Sequence, residues 1–561
     1  MTLMLTPSCL AIAAFALERH CAAPWSTGDN PVVNLLDDNQ MAHFLRDGFV
    51  VLEPDGLGDD FHAQMYDAAC QVHDEARAVG GDSTHLQIIG DNLRARIPAL
   101  QRLLTDPTVD GALASVLGEG YFLHPHHFVH ESSRYDQGFH QDGNLPWNDR
   151  AHYRTHRPNW AMLFYYPQRV TDDNGPTEVL PGTQYWTTNF ERADGTWHRG
   201  DALDKKVRQE ALRNGDVEVR DTYLDEVVES LGIRGLARHR IRVPTGGVVL
   251  AHYDLMHRGT RTAPTFDGRR FMYKFYYLRS RDPDRPSWHN QAEALPHTTG
   301  HACLNGVVER IWHWLRGDAG WRPAVELKDQ VERIASAGAE DERIRLAYEL
   351  GWIARDNAGV AREVVKLLTV EDEAVRRSMV YAAGIAGSAV EPGVLRALDS
   401  DDARVRRVAA SAAGEARLAS PVAVEALFRH LGDDADDLVR SNAAYALGNI
   451  ARVPGANVAA KRLLARLDSA VEPDNTGNGG MSRSTVRVSI AYALCNMALS
   501  DSDLAALASS GLADHDRYVR GLAAAVLERH GRFRAEPWLR IFVEHLVRAR
   551  FNDRPPHPLP G

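Results

Sequence analysis

The chain has 561 residues, 44% of them hydrophobic and 25% charged, with a formal net charge of −11. That length exceeds one hydrophobic core and calls for two or more domains, and the acidic balance lacks the basic footprint of a nucleic-acid-binding chain, so no nucleic acid partner is expected. No apolar run reaches the ~18 residues of a membrane span, and the five cysteines are odd in number, far apart and without a C-x-x-C pair, which argues against a disulfide framework or zinc site and for the cytoplasm.

Leu3 to Leu17 is apolar and Ala-rich but has no Lys or Arg ahead of it. Residues 1–32 therefore read as a flexible leader rather than a secretion signal. Asp37 to Gly48 reads as a capped helix that runs into an extended Phe49-Val50-Val51-Leu52-Glu53. A second helical pattern covers about Asp60 to Val79. Beyond Tyr121, strand-like runs dominate: Phe122 to His130, Trp160 to Tyr166, Gly247 to His252 and Phe271 to Leu278. With turn residues at this density the spacing predicts a sandwich or jelly roll. A charged, helical stretch at about 196–240 reads as an insertion or lid, and 296–323 as a helical linker.

Near residue 330 the chain turns rich in Ala, Leu, Val and Arg with helical periodicity. A V-R-x-x-A-x-x-A-L-G pattern recurs around Arg345, Arg376, Arg406, Arg440, Arg487 and Arg520. The near-constant interval is broken once, where the polar, Gly-rich Pro473 to Ser484 is inserted. Acidic turns precede several of the repeats, as at Asp399 to Asp402 and Asp433 to Asp437. The pattern is similar to the HEAT-repeat family and covers roughly Ala324 to Gly531. Each helix pair cannot bury its apolar face alone, so stacked pairs share a core, with small Ala and Gly letting helices approach. The repeat arginines are expected to pair with acidic turns of neighbouring repeats. The solenoid is assigned to 324–535, with a tail at 536–561.

The chemistry concentrates in His140-Gln141-Asp142, answered by His257 and then Arg269 and Arg270. Two histidines and a carboxylate on a β-rich scaffold can hold one face of a ferrous ion and leave positions open for a bidentate 2-oxoacid and dioxygen. Residues i and i+2 of a strand share a side, so His140 and Asp142 can grip one metal together. His257 follows the apolar run Gly247 to His252 and is the natural candidate for the third ligand.

These residues, with Gly138 to Gly143, Asn174-Gly175-Pro176 leading to Pro181-Gly182-Thr183-Gln184, Gly246 to Gly259 and Arg269 to Phe275, resemble the phytanoyl-CoA dioxygenase-like Fe(II)/2-oxoglutarate oxygenases over about 33–295. The resemblance implies an α+β multidomain chain: a double-stranded β-helix (jelly roll) oxygenase domain, then the all-α HEAT solenoid. It implies Fe(II) on His140, Asp142 and His257, with 2-oxoglutarate as co-substrate and O2 as oxidant. Arg269 would anchor the far carboxylate of 2-oxoglutarate, with Arg270 as competitor, since strand parity alone does not decide between them. A guanidinium fork suits that carboxylate better than Lys would.

The chain departs from the family turn at Thr177 and at Thr183-Gln184. Gly259, followed by Thr260, stands where a small hydroxyl residue is frequent, which makes Thr260 a co-substrate candidate. An acid rather than Ala or Gly at position 142 favours hydroxylase-type chemistry over halogenation. The expected enzyme hydroxylates a small-molecule or carrier-bound substrate and releases succinate and CO2. Protein modification with the solenoid as docking surface, and a non-catalytic scaffold, are the alternatives. His124, His126, His127 and His130 read as lining a strand, and Tyr165, Tyr166 and Trp147 as either pocket walls or core aromatics.

Overall fold

The computed structural model describes residues 33–78, 93–142, 154–186, 237–296, 304–469 and 485–530, apart from His126, Gly138, Ala513 and His515, together with 190–191, 197–198 and 222. The leader, most of the stretch at 196–240, Trp147 and the C-terminal tail lie outside the described residues.

Helix α1 (Asp38–Asp47) begins where the sequence says it should. Asp37 and Gln40 form a reciprocal capping box, and Gly48 closes the helix in the left-handed region at φ 85°, a conformation that favours glycine. Strand β1 (Phe49–Leu52) follows, then α2 (Asp59–Ala78), α3 (Leu93–Arg96), α4 (Leu100–Leu104) and α5 (Pro107–Leu117). Apart from the short separate pair Phe190–Glu191 and Trp197–His198, the remaining strands are β2 (Phe122–Leu123), β3 (Phe128–Glu131), β4 (Trp160–Tyr165), β5 (Thr177–Val179), β6 (His239–Ile241), β7 (Val248–His252), β8 (His257–Gly259) and β9 (Phe271–Leu278).

They form a jelly-roll-type arrangement of two antiparallel sheets. The larger has the order β1-β7-β4-β9-β2, with β3 also on β9; the smaller has the order β8-β5-β6. Strands β4, β7 and β9 are buried along their whole length. Met162, Phe164, Val249, Ala251, Met272 and Tyr276 share one core with Val179 and Ile241 of the smaller sheet. The alternate residues Leu163, Tyr165, Leu250, Tyr273 and Phe275 pack with Phe44, Phe61, Met65 and Leu113 of the helices. A sheet covered on both faces reads as continuous apolar runs rather than alternation.

After α6 (Asn305–Leu315) comes the solenoid: α7 (Gln330–Ser336), α8 (Glu340–Ala354), α9 (Ala358–Leu367), α10 (Glu373–Ala386), α11 (Glu391–Leu398), α12 (Ala403–Glu415), α13 (Pro421–Asp433), α14 (Asp437–Ala451), α15 (Ala460–Ser469), α16 (Thr485–Cys495), α17 (Asp501–Gly511) and α18 (Arg517–Arg529). Helices α8, α10, α12, α14, α16 and α18 stack as one row. Close approach depends on small residues at Gly414 and Gly448: a Cβ there would lie 2.8 and 2.7 Å from the Cα atoms of Ala446 and Ala493. Two repeat arginines reach the next acidic turn, Arg406 on Asp434 and Arg487 on Asp514. Arg376 and Arg440 instead pair within their own helices, with Glu373 and Asp437. That is a correction to the inter-repeat pattern, and the i,i+3 spacing on a helix explains it.

The row of repeat helices packs on the jelly-roll domain. The His156 ring stacks on Tyr381 with centroids 3.8 Å apart, and its Nδ1 lies 2.9 Å from the Tyr348 hydroxyl. Arg157 donates to the Glu415 carboxylate and backbone carbonyl, each at 2.9 Å, and Arg417 pairs with Asp282 at 2.8 Å. Trp160 stacks on Tyr492, and His124 meets Tyr518.

Candidate metal centre

His140 and His257 face each other across an isolated antiparallel bridge. Each donates its backbone N–H to the other's carbonyl, at 3.1 and 3.0 Å. Directly opposed residues in such a pair project side chains to the same side, and the two imidazole centroids lie 4.5 Å apart. The pairing does not extend to Asp142, so the second ligand stands beyond the bridge rather than on a regular strand. Gln141 points the other way and donates to the carbonyls of Asp254 (2.8 Å) and Trp186 (2.9 Å), pinning the tripeptide between its two ligand positions.

Asp142 turns one oxygen, Oδ1, towards the imidazoles: 3.7 Å from Nε2 of His140 and 3.8 Å from Nε2 of His257. Ligand atoms of the three residues all lie within 4.8 Å of one another. His257 Nδ1 donates to the Leu255 carbonyl at 2.9 Å, which leaves the Nε2 lone pair facing the centre. The other carboxylate oxygen, Oδ2, accepts from the Tyr276 hydroxyl at 2.9 Å and lies 2.5 Å from the ammonium of Lys274. That ammonium also lies 3.0 Å from His257 Nε2. Burial opposes ionisation of Asp142, but the Lys274 ammonium beside it, through its charge and its hydrogen bond, holds the carboxyl well below the usual range. Burial, then Lys274, push the His257 imidazole well down, so it is neutral. Two imidazoles and one ionised carboxylate on one face fit a divalent ion. The Lys274 ammonium, resting on two of the three ligands, marks the place as one that attracts a cation.

The two candidate anchors part company. Arg269 lies outside the sandwich: its guanidinium forks onto Glu131 at 2.7 and 3.1 Å and reaches Asp74 at 2.9 Å. Arg269, expected to reach the co-substrate, here spends its donors on two carboxylates of the outer face. Arg270 is buried and turns inward, 5.9 Å from the Tyr166 ring. It donates to the carbonyls of Asn174, at 3.4 Å, and Gly175, so it braces the Asn-Gly-Pro turn. Tyr166 donates to Thr177 at 2.8 Å. Thr260 is buried, with its hydroxyl on the Pro176 carbonyl at 2.7 Å.

Lys274 and Tyr276 escaped the sequence reading. The available signal was a lone charge within the otherwise apolar Phe271 to Leu278. Tyr165 belongs to the core against the helices, with its hydroxyl 2.8 Å from His62. His124 and His127 are buried, and His130 packs on Phe128. Among the described residues only His140, Asp142 and His257 cluster closely enough to hold a metal ion together.

Fold and site together define a jelly roll with a two-histidine, one-carboxylate face, followed by a helical solenoid. Residues 44–263 match the family model described as phytanoyl-CoA dioxygenase (PhyH), and 391–475 match HEAT repeats. The chain therefore joins a phytanoyl-CoA dioxygenase-type domain to a HEAT-repeat region. No curated protein matches it. Solved structures similar to it include EctD from S. alaskensis with 2-oxoglutarate and 5-hydroxyectoine (18% identity, 50% of this chain and 89% of that one, TM-score 0.32). The non-heme alpha ketoglutarate dependent carbocyclase SnoK from nogalamycin biosynthesis is also similar (16%, 45% and 88%, 0.31). So is HygX from Streptomyces hygroscopicus with nickel and 2-oxoglutarate (16%, 48% and 96%, 0.30). No helix among the described residues is long and apolar enough to cross a membrane.

Proposed function

We propose that the protein is an Fe(II)- and 2-oxoglutarate-dependent oxygenase that hydroxylates a small-molecule or carrier-bound substrate with release of succinate and CO2. The observation that carries this reading is the convergence of His140 Nε2, Asp142 Oδ1 and His257 Nε2 inside the sandwich. Iron, when bound there, supplies the oxidising chemistry with dioxygen. His140, Asp142 and His257 hold it; the Leu255 carbonyl fixes the tautomer of His257, and Tyr276 fixes the carboxylate of Asp142. Arg270 is our choice for the far carboxylate of 2-oxoglutarate, with Tyr166 and Thr177 beside it, because it is the inward arginine. The buried aromatic lining, Phe164 and Tyr276 among it, keeps water from the reacting centre.

The packing of the repeat row on the oxygenase domain favours this reading over a solenoid that docks a protein substrate on that row. The test is the anaerobic visible spectrum of the protein with Fe(II), before and after 2-oxoglutarate. A charge-transfer band is expected in wild type and is expected to vanish in Asp142→Ala. Arg270→Ala should raise the 2-oxoglutarate concentration needed for half the band by roughly a hundredfold, the scale for truncating one partner of a buried charge pair, and Arg269→Ala should change it little. A wild-type protein without the band refutes the proposal; the reverse order of the arginine variants refutes the choice of anchor.

A further inference from the structure

One buried side chain in the centre belongs to none of the three ligands. Lys274 sits in the middle of β9, its side chain 5% exposed, on the same face as Met272 and Tyr276. Its ammonium makes two contacts at once: Asp142 Oδ2 at 2.5 Å and His257 Nε2 at 3.0 Å. The rings of Phe164 and Tyr276 flank it, each centroid 5.3 Å away. These two contacts differ in kind. Asp142 Oδ2 is the oxygen turned away from the imidazoles, already shared with the Tyr276 hydroxyl, so Lys274 can hold it without touching the ligand face. His257 Nε2 belongs to the ligand face. Its Nδ1 is committed to the Leu255 carbonyl, so Nε2 has one lone pair, and a hydrogen bond from Lys274 and a bond to a metal ion exclude each other.

We propose that Lys274 is a built-in occupant of the metal centre, which holds the His257 lone pair and the Asp142 charge until a divalent ion displaces it, so that metal loading is an exchange. The proposal rests on the reading of His140, Asp142 and His257 as metal ligands. Two physical reasons support a use for such a residue. Asp142 is buried, and a buried carboxylate with no partner is strongly destabilising; Lys274 supplies the compensating charge from β9. Once an ion arrives, a fixed positive charge a few ångströms away repels it, so weakly bound ions are rejected and only an ion that bonds firmly to both imidazoles takes the place. Lys274 is thus a positioning and metal-selecting residue.

The experiment titrates the full-length, chelator-treated protein with Co(II), read by the visible bands of bound Co(II) and by calorimetry, in wild type, Lys274→Met, His140→Ala and Asp142→Ala. Thermal midpoints are measured with and without saturating Co(II). Lys274→Met is expected to bind Co(II) at least tenfold more tightly than wild type. Its midpoint without metal should be lower, and its rise on Co(II) addition larger, since a ligand stabilises in proportion to how tightly it binds the native state. Co(II) binding by Lys274→Met that equals or falls below that of wild type overturns the proposal, because the lysine is then a permanent neighbour of the bound ion. Should Lys274→Met fail to fold, Lys274→Gln is measured in its place; it is neutral but still able to donate to Asp142, and the same criterion applies. Co(II) binding undiminished in both His140→Ala and Asp142→Ala overturns the metal-centre reading and this proposal with it; binding lost in those two variants while Lys274→Met is unchanged overturns this proposal alone.

Discussion

Asp142 uses its two oxygens for different tasks, and that division is where the site is most sensitive to single atoms. Oδ1 faces the imidazoles, while Oδ2 is fixed by the Tyr276 hydroxyl at 2.9 Å. Partners that orient a ligand are worth roughly 10–100-fold in metal affinity. Tyr276→Phe removes one oxygen atom and keeps the ring against Tyr253, so it should weaken Co(II) or Fe(II) binding about tenfold with little change in folding. Calorimetric metal titration beside a thermal melt checks this; unchanged affinity would show that the hydroxyl plays no part in holding the ligand. The clustering of His140, Asp142 and His257 was legible in the sequence because their residue types are rare in combination and ordered along the chain. The choice between Arg269 and Arg270 was not, because β9 is apolar at every position but Lys274. A strand buried on both faces gives no alternation from which to count parity. The two differ in their partners: Glu131 and Asp74 hold Arg269 outside, and the turn carbonyls hold Arg270 inside.

At the scale of elements, legibility followed length and local chemistry. The first helix announced itself through Asp37, Gln40 and Gly48, and the solenoid through its recurring Val-Arg. Strands β5, β6 and β8 have three residues each, too few to show a period, and they exist because they pair with one another and, at His257, with His140. Helix α5, entered through Asp106 and Pro107, carried a start signal that a mostly apolar run obscured. Within the solenoid, the repeat glycine has a measurable role. At Gly448 a Cβ would meet the Ala493 backbone of the next repeat at 2.7 Å, and neither helix has a flexible side chain there to yield. Gly448→Val should therefore push α14 and α16 apart and destabilise the protein by about 1–3 kcal/mol, the range for overpacking. A denaturant melt followed by circular dichroism measures this; a loss below a few tenths of a kcal/mol would show that the helices separate freely.

At the scale of the whole molecule, the solenoid is joined to the oxygenase domain by buried polar groups as well as aromatic rings. His156 is enclosed between Tyr348, Tyr381 and Tyr185, with Nδ1 on the Tyr348 hydroxyl and Nε2 on the Tyr185 carbonyl. The neighbouring Arg157 contacts both Glu415 and the Gly384 carbonyl. An imidazole so enclosed has no room for hydration of its charge, and burial pushes its pKa down to about 3 from an ordinary value of 6.5. In the unfolded or separated chain the same histidine takes up a proton near 6.5. Between about pH 6.5 and 3 the separated state therefore binds the additional proton, and stability falls as pH falls, by roughly 1.4 kcal/mol for each pH unit while the difference persists. Above pH 6.5 both forms are neutral and this contribution is constant. The domain junction should thus loosen first on mild acidification, with the thermal midpoint at pH 5.5 below that at pH 7.5. His156→Phe keeps a ring against Tyr381 and has no proton to gain, so its midpoint should start lower at pH 7.5 but fall less between the two values. Hydrogen exchange of the helices bearing Tyr348 and Tyr381 locates the change. A wild type and a variant with equal slopes would mean that acid acts elsewhere, and that the junction stays closed until the domains themselves unfold.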